Sequence, residues 1–305
     1  MRSAGRSTRA RYGPTAGDRI RLGDTNLLAL IERDDTSYGD EVLRGWGKTL
    51  RTGLMMNDRL PAASELDLLI SNVIVIDPVL GIRKASIGVK DGLIVGVGRA
   101  GNPDIVDNPD LLIGSATAPV YGQGFIATPG GIDTHVHLVQ PRLIPVALAA
   151  GMTTLITGGL NDNPAFNLRR MFQAFEHQPI NLGILGRAAS TVPDPLIRQI
   201  ESGACGLKVH EDYAGYPSVI DQALTVADAH DIQIAMHTDG INESCELHET
   251  VAAINGRAIH AYHVEGIGGA TRRTSSRSWA WATSSAPRPR RRSPMAGTSW
   301  PSITR

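Results

Sequence analysis

The chain is nearly without cysteine. Cys205 and Cys245 are the only two in 305 residues, with no CxxC spacing and no disulfide framework, so a reducing compartment and two small core residues are expected. An apolar leader is missing as well: residues 1–11 are basic but hold no hydrophobic segment of signal-peptide type. The run 143–152 is too short to span a bilayer. A soluble cytoplasmic protein is expected, with no membrane partner. Acidic residues are absent from Ala270 onward, where eight arginines stand. The formal net charge of zero hides this asymmetry. Residues 1–269 carry 22 basic and 30 acidic side chains, and their net charge of −8 argues against a nucleic-acid face.

A length of 305 residues predicts two domains or one large barrel, and 42% hydrophobic content is ample for a core. Residues 12–60 are rich in Gly, Asp and Thr, with short β-type runs at 20–22 and 27–31. Residues 66–76 read as one or two strands ending in a turn at Asp77-Pro78 and Gly81. Residues 85–90 and 93–98 flank Asp91-Gly92, the strongest short hairpin signal. Residues 1–127 are therefore expected to be a β-rich domain.

From Thr128 the texture changes. Strands are expected at 126–137, 153–157, 180–185, 206–210, 232–237 and 258–263, separated by helices at 144–150, 168–175, 196–202, 218–230 and 246–254. About six βα units in a row predict a parallel sheet with helices outside it. The fold class is α/β: an incomplete (β/α)8 TIM barrel over 128–269, with its chemistry at the C-terminal strand ends. Residues 270–305 lack periodicity and hold Trp279, Trp281 and Trp300, three of the four tryptophans. A basic disordered arm is one reading of this tail. The favoured reading is out-of-frame or degenerate coding sequence attached to a barrel two units short, because basic arms seldom mix tryptophan into Ser/Pro/Arg runs.

Metal-ligand residue types sit at four of the six expected strand ends. His135 and His137 lie two apart in a strand and so face one way. Lys208 and His210 end the fourth strand, His237 the fifth and His263 the sixth. Each histidine alone reads as a polar residue at a strand end; together they form the pattern a barrel metal site requires, ligands distant in sequence converging at one mouth. Lys208 would ordinarily pair with an acid such as Glu211 or Asp212. The sharper reading is that desolvation lowers its pKa, so that the neutral amine takes up carbon dioxide as a carbamate bridging two metals.

Several stretches carry a resemblance to a known family. Tyr12-Gly13-Pro14-Thr15-Ala16-Gly17-Asp18, Gly130-Gly131-Ile132-Asp133-Thr134-His135-Val136-His137, Gly206-Leu207-Lys208-Val209-His210-Glu211-Asp212 and His263-Val264-Glu265-Gly266-Ile267-Gly268-Gly269 resemble the urease alpha (catalytic) subunit, within the metal-dependent amidohydrolases. The match runs from about residue 12 to 269. It implies hydrolysis of urea to ammonia and carbamate at two nickel ions, with carbon dioxide needed to carbamylate Lys208. It further implies that Lys208 is the bridge, that His237 and His263 hold one nickel, and that His135 and His137 hold the other. His210 would hydrogen-bond the urea carbonyl oxygen, and the backbone at Gly268 would lie beside the substrate. Other urease subunits and nickel-delivery accessory proteins are the implied partners, and an oligomer the implied state.

The chain departs from the family in two places. After Thr157-Gly158-Gly159 the family has a longer glycine-rich loop that gives urea a backbone acceptor. After Gly269 it continues Gly-His-Ala-Pro-Asp, where this chain turns to Ala270-Thr271-Arg272-Arg273. The family's aspartate ligand of the second nickel, its histidine general acid and its cysteine-bearing flap are then missing. Weak or no turnover by this chain alone is expected, along with two unpaired strand edges on a six-stranded barrel. Two other readings stand beside it. One is a noncatalytic urease-like paralogue or fragment that associates with urease subunits. The other is a zinc cyclic amidohydrolase of the dihydroorotase or hydantoinase kind, which the N-terminal matches to urease disfavour.

Overall fold

The computed structural model describes residues 12–37, 55–138, 140–158, 165–210, 215–238 and 245–262. His263, Gly268, Glu211, Asp212 and the tail 270–305, all named above, lie outside the described residues. The chain divides into two compact units between Pro129 and Gly130.

The first unit opens with a small antiparallel ribbon of β1 (Arg19–Arg21) and β2 (Leu28–Leu30). Its main sheet contains β3 (Arg33–Asp34), β4 (Leu68–Asp77), β5 (Gly81–Lys90), β6 (Leu93–Gly98), β7 (Ala118–Tyr121) and β8 (Ile126–Ala127). β4 and β5 form a long hairpin whose turn is set by Asp77, the Oδ1 of which accepts from the backbone N–H of Val79 and of Leu80, both at 2.8 Å. β5 returns into β6 through Asp91 and Gly92, at φ +50° and +76°. These left-handed positions suit the tight turn expected from Asp-Gly. Leu66, Leu69, Leu111 and Ile113 form one apolar cluster in this unit, and Val73, Val75, Ala85 and Ile87 another.

The single strand expected over 126–137 is two strands. β8 pairs with β4 in the first sheet, whereas β9 (Gly131–Val136) belongs to the sheet of the second unit. Pro129 lies between them, and it has no N–H to give to a ladder.

The second unit alternates strictly. After β9 come α1 (Leu143–Ala149), β10 (Met152–Thr157), α2 (Ala165–Phe175), β11 (Asn181–Arg187), α3 (Asp194–Glu201), β12 (Gly206–His210), α4 (Pro217–His230), β13 (Gln233–His237), α5 (Leu247–Ile254) and β14 (His260–Tyr262). The six strands are parallel throughout and ordered in space as in sequence. A sheet built this way must bury both faces, and β12 is buried at every residue. Its odd-numbered members Leu207 and Val209, with Ile234 and Met236 of β13, pack on Ile220, Ala223, Leu224 and Ala227 of α4. The even-numbered members Lys208 and His210 are thereby turned to the opposite, inner face.

Helix boundaries follow local chemistry. α4 starts with Pro217 in its first turn and stops at Asp231, whose left-handed φ of +53° ends the ladder. α5 starts from a capping box between Glu246 and Glu249 and stops at Asn255, φ +51°. Gly206 is required where β12 approaches β13: a Cβ there would lie 2.6 Å from the Gln233 carbonyl oxygen.

Because α4 fixes which face of β12 points inward, Ile220→Ala is expected to cost about 2–5 kcal/mol. Denaturant unfolding of variant and wild type checks this; a cost under about 0.5 kcal/mol would show that α4 does not hold the strand.

Candidate metal centre

The inner face of the second unit gathers the polar side chains that sequence places at strand ends. Lys208 is 2% and His210 6% exposed. β12 and β13 pair with Lys208 opposite Ala235 and His210 opposite His237, so the two histidines stand side by side, their rings 5.1 Å apart and nearly parallel. On the other side of the sheet's order, His135 of β9 brings its Nε2 to 3.4 Å from Lys208 Nζ, a contact between residues 73 apart in the chain. The His135 and His137 ring centroids are 5.3 Å apart and tilted by 47°.

His137 lies one residue beyond the end of β9, and the strand is irregular before it. The register pairs Leu155 with Asp133 but Thr157 with Val136, so β9 carries an extra residue in this interval. The slip is covered locally: Asp133 Oδ1 accepts the His135 N–H at 3.0 Å, and Thr157 Oγ1 accepts the Leu138 N–H at 3.3 Å. Such a bulge re-aims side chains at a strand end. Strict alternation alone does not set the aim of the two histidines.

The electrostatics centre on Lys208. Burial pushes its ammonium down from the ordinary lysine range to about 7. No described carboxylate stands against it to reverse the shift; Glu211 and Asp212, the acids named from sequence, lie outside the described residues. Burial also lowers His260, with the Lys208 charge adding to the effect.

Two inner-face residues were not among the candidates read from sequence. The Tyr262 ring stacks on His135 at 4.0 Å and lies 3.8 Å below Lys208 Nζ, and its hydroxyl donates to the Thr134 carbonyl oxygen at 2.6 Å. His260 meets the Tyr262 ring edge-on at 4.5 Å. Period-two alternation along β14 puts His260 and Tyr262 on one face, a signal available in sequence but without a chemical motif to draw attention to it. The bond from Tyr262 to Thr134 ties β14 to β9, the first and last strands of the sheet order. Among the described residues β9 and β14 do not pair and stand at the two ends of the strand order, with this one side-chain bond between them.

Among the described residues no three His, Cys, Asp or Glu side chains stand together as a formed metal-binding group. The donors nonetheless suit one in kind: the four imidazoles of His135, His137, His210 and His237 stand with a desolvated amine, and imidazole with carboxylate-type oxygen suits zinc, nickel and iron. Of the residues named from sequence, the structure brings His135, His137 and Lys208 together, and His210 with His237.

Two regions of the chain match known families. Residues 3–120 match the family described as urease alpha-subunit, N-terminal domain, and residues 126–278 match the amidohydrolase family. The urease subunit alpha of Haloquadratum walsbyi is 50% identical over 267 residues, covering 85% of this chain and 47% of that protein. The urease subunit alpha 1 of Streptomyces avermitilis is 47% identical over the same length, with 85% and 48% covered. The chain spans about half the length of these relatives. A solved structure of atrazine chlorohydrolase TrzN from Arthrobacter aurescens complexed with zinc is 16% identical, with a TM-score of 0.45 and 70% of each chain covered. The parallel six-stranded unit is an incomplete amidohydrolase-type barrel, and the chain belongs to the amidohydrolase family, with the urease alpha-subunit N-terminal domain ahead of its barrel.

Proposed function

We propose that this chain serves the hydrolysis of urea to ammonia and carbamate, at two nickel ions bridged through a carbamylated Lys208. The observation that carries the reading is the lysine itself: buried, its pKa lowered to about 7, and 3.4 Å from an imidazole that arrives from the far end of the sheet order. The similarity to urease alpha subunits supports the choice of urea over other amides.

His135 and His137 would hold one ion and His237 and His263 the other, and the Lys208 carbamate would supply oxygen donors. Ions so held supply Lewis-acid polarisation of a carbonyl and activate water near neutral pH. The protein's own contribution begins at Lys208. Its neutral Nζ attacks the carbon of carbon dioxide, an N–C bond forms, one C=O pair moves to oxygen, and the nitrogen gives a proton to solvent. An ammonium position thereby becomes an oxygen anion. His210 would donate a ring N–H to the urea carbonyl oxygen, and Gly268 is the residue whose backbone the family resemblance assigns to the substrate. Leu185 and Ala235 belong to a buried apolar cluster in the same unit. Other urease subunits and nickel-delivery proteins are the partners, in an oligomer.

Protein treated with nickel and bicarbonate and then desalted is expected to retain metal in a bicarbonate-dependent way and to release ammonia from urea only very weakly. Lys208→Ala should weaken retention at least about tenfold. Metal analysis and an ammonia assay read both. Equal retention by the variant would overturn the bridging role, and retention without ammonia would favour a noncatalytic member of a urease assembly.

Lys208 also fixes a pH dependence of the metal-free protein. Its folded pKa lies below its unfolded value, so between about 7 and about 10.4 the unfolded chain binds a proton that the folded chain does not. Stability therefore rises with pH through that window, by no more than about 1.4 kcal/mol per pH unit for one proton. Lys208→Met should be flatter than wild type between pH 7 and 9 in urea-free thermal melts; parallel curves would contradict the shift.

A further inference from the structure

Tyr262 has surroundings that the proposed chemistry does not use. The residue is 7% exposed, and its ring is held on several sides: His135 face to face at 4.0 Å, Lys208 Nζ over the ring at 3.8 Å, and His260 against it at 4.5 Å. Its hydroxyl is anchored on the Thr134 carbonyl oxygen at 2.6 Å, and its own carbonyl oxygen accepts the buried Thr238 hydroxyl. Backbone and ring are therefore both fixed.

The position matters as much as the contacts. A carboxylate added to Lys208 Nζ needs space beside that nitrogen, and at 3.8 Å the Tyr262 ring fills one side of it. The same ring covers one face of His135, so the imidazole cannot turn without losing the stack. Three groups thus compete for one volume: the aromatic ring, the added carboxylate and an ion between them.

We infer that Tyr262 is a latch that ties the first strand of the barrel sheet to the last and competes with metal for the space beside Lys208. This rests on the metal-centre reading above. Metal loading requires the ring to swing away from Lys208 and His135, which breaks the bond to Thr134 and frees β9 from β14. The latch also predicts a sign that ordinary structural support does not. A residue that merely props up the site would, when removed, leave the ligands scattered and metal uptake slower. A competitor, when removed, leaves uptake faster.

The test uses the full chain and nickel with bicarbonate, following uptake against a coloured chelator. Tyr262→Ala should load about tenfold faster than wild type, and Tyr262→Phe, which loses only the hydroxyl, about threefold faster. Hydrogen exchange of the β9 amides in metal-free protein should rise in both. Unchanged or slower uptake in both variants would overturn the latch while leaving the metal centre intact. No nickel retention by wild type or either variant would sink the metal-centre reading and the latch with it. If Tyr262→Ala does not fold, as judged by circular dichroism, Tyr262→Phe decides alone: faster uptake supports the latch and unchanged uptake overturns it.

Discussion

A lysine that cannot reach water is the constraint on which the barrel unit turns. Taking an ammonium out of solvent is costly unless the charge is paired or given up, and Lys208, 2% exposed, has an imidazole and an aromatic ring for neighbours. Burial resolves the conflict by pulling the pKa down to about 7. The same feature that burdens the fold supplies a nucleophilic amine at neutral pH.

The fold meets this constraint by ordinary means. Alternation along β12 sends Leu207 and Val209 into α4 and Lys208 and His210 to the other face. Parallel pairing then carries the polar face across the sheet, setting His210 opposite His237. The contacts between the two ends of the strand order are made differently: β9 is bulged next to His135, which meets Lys208, and a tyrosine ties β14 to Thr134. Packing on the outer face therefore fixes the chemistry on the inner face.

Much of this was legible in the residues. Asp91-Gly92 gives its turn directly, because few residue pairs accept two left-handed positions in succession. The alternation of apolar strands with amphipathic helices gives the six parallel strands in their order. The break at Pro129 was legible too, yet an apolar run on both sides of it reads as one strand until the two halves are seen to pair with different partners. The meeting of His135 with Lys208 was not legible from spacing, since it depends on the register of every intervening strand pair and on a bulge that no motif marks. Tyr262 and His260 were passed over because an aromatic residue and a lone histidine in a short strand carry the pattern of core rather than of chemistry. Their role emerges only from what lies within 4.5 Å.

The proposed role of Lys208 is to become an oxygen ligand by taking up carbon dioxide. Zinc can stand in for nickel to keep the site diamagnetic, and protein loaded with zinc and 13C-bicarbonate can be read by carbon NMR. A carbamate carbonyl resonance that persists after desalting and is absent from Lys208→Ala is the predicted result. No such resonance in the wild-type chain, or the same resonance in the variant, would contradict it.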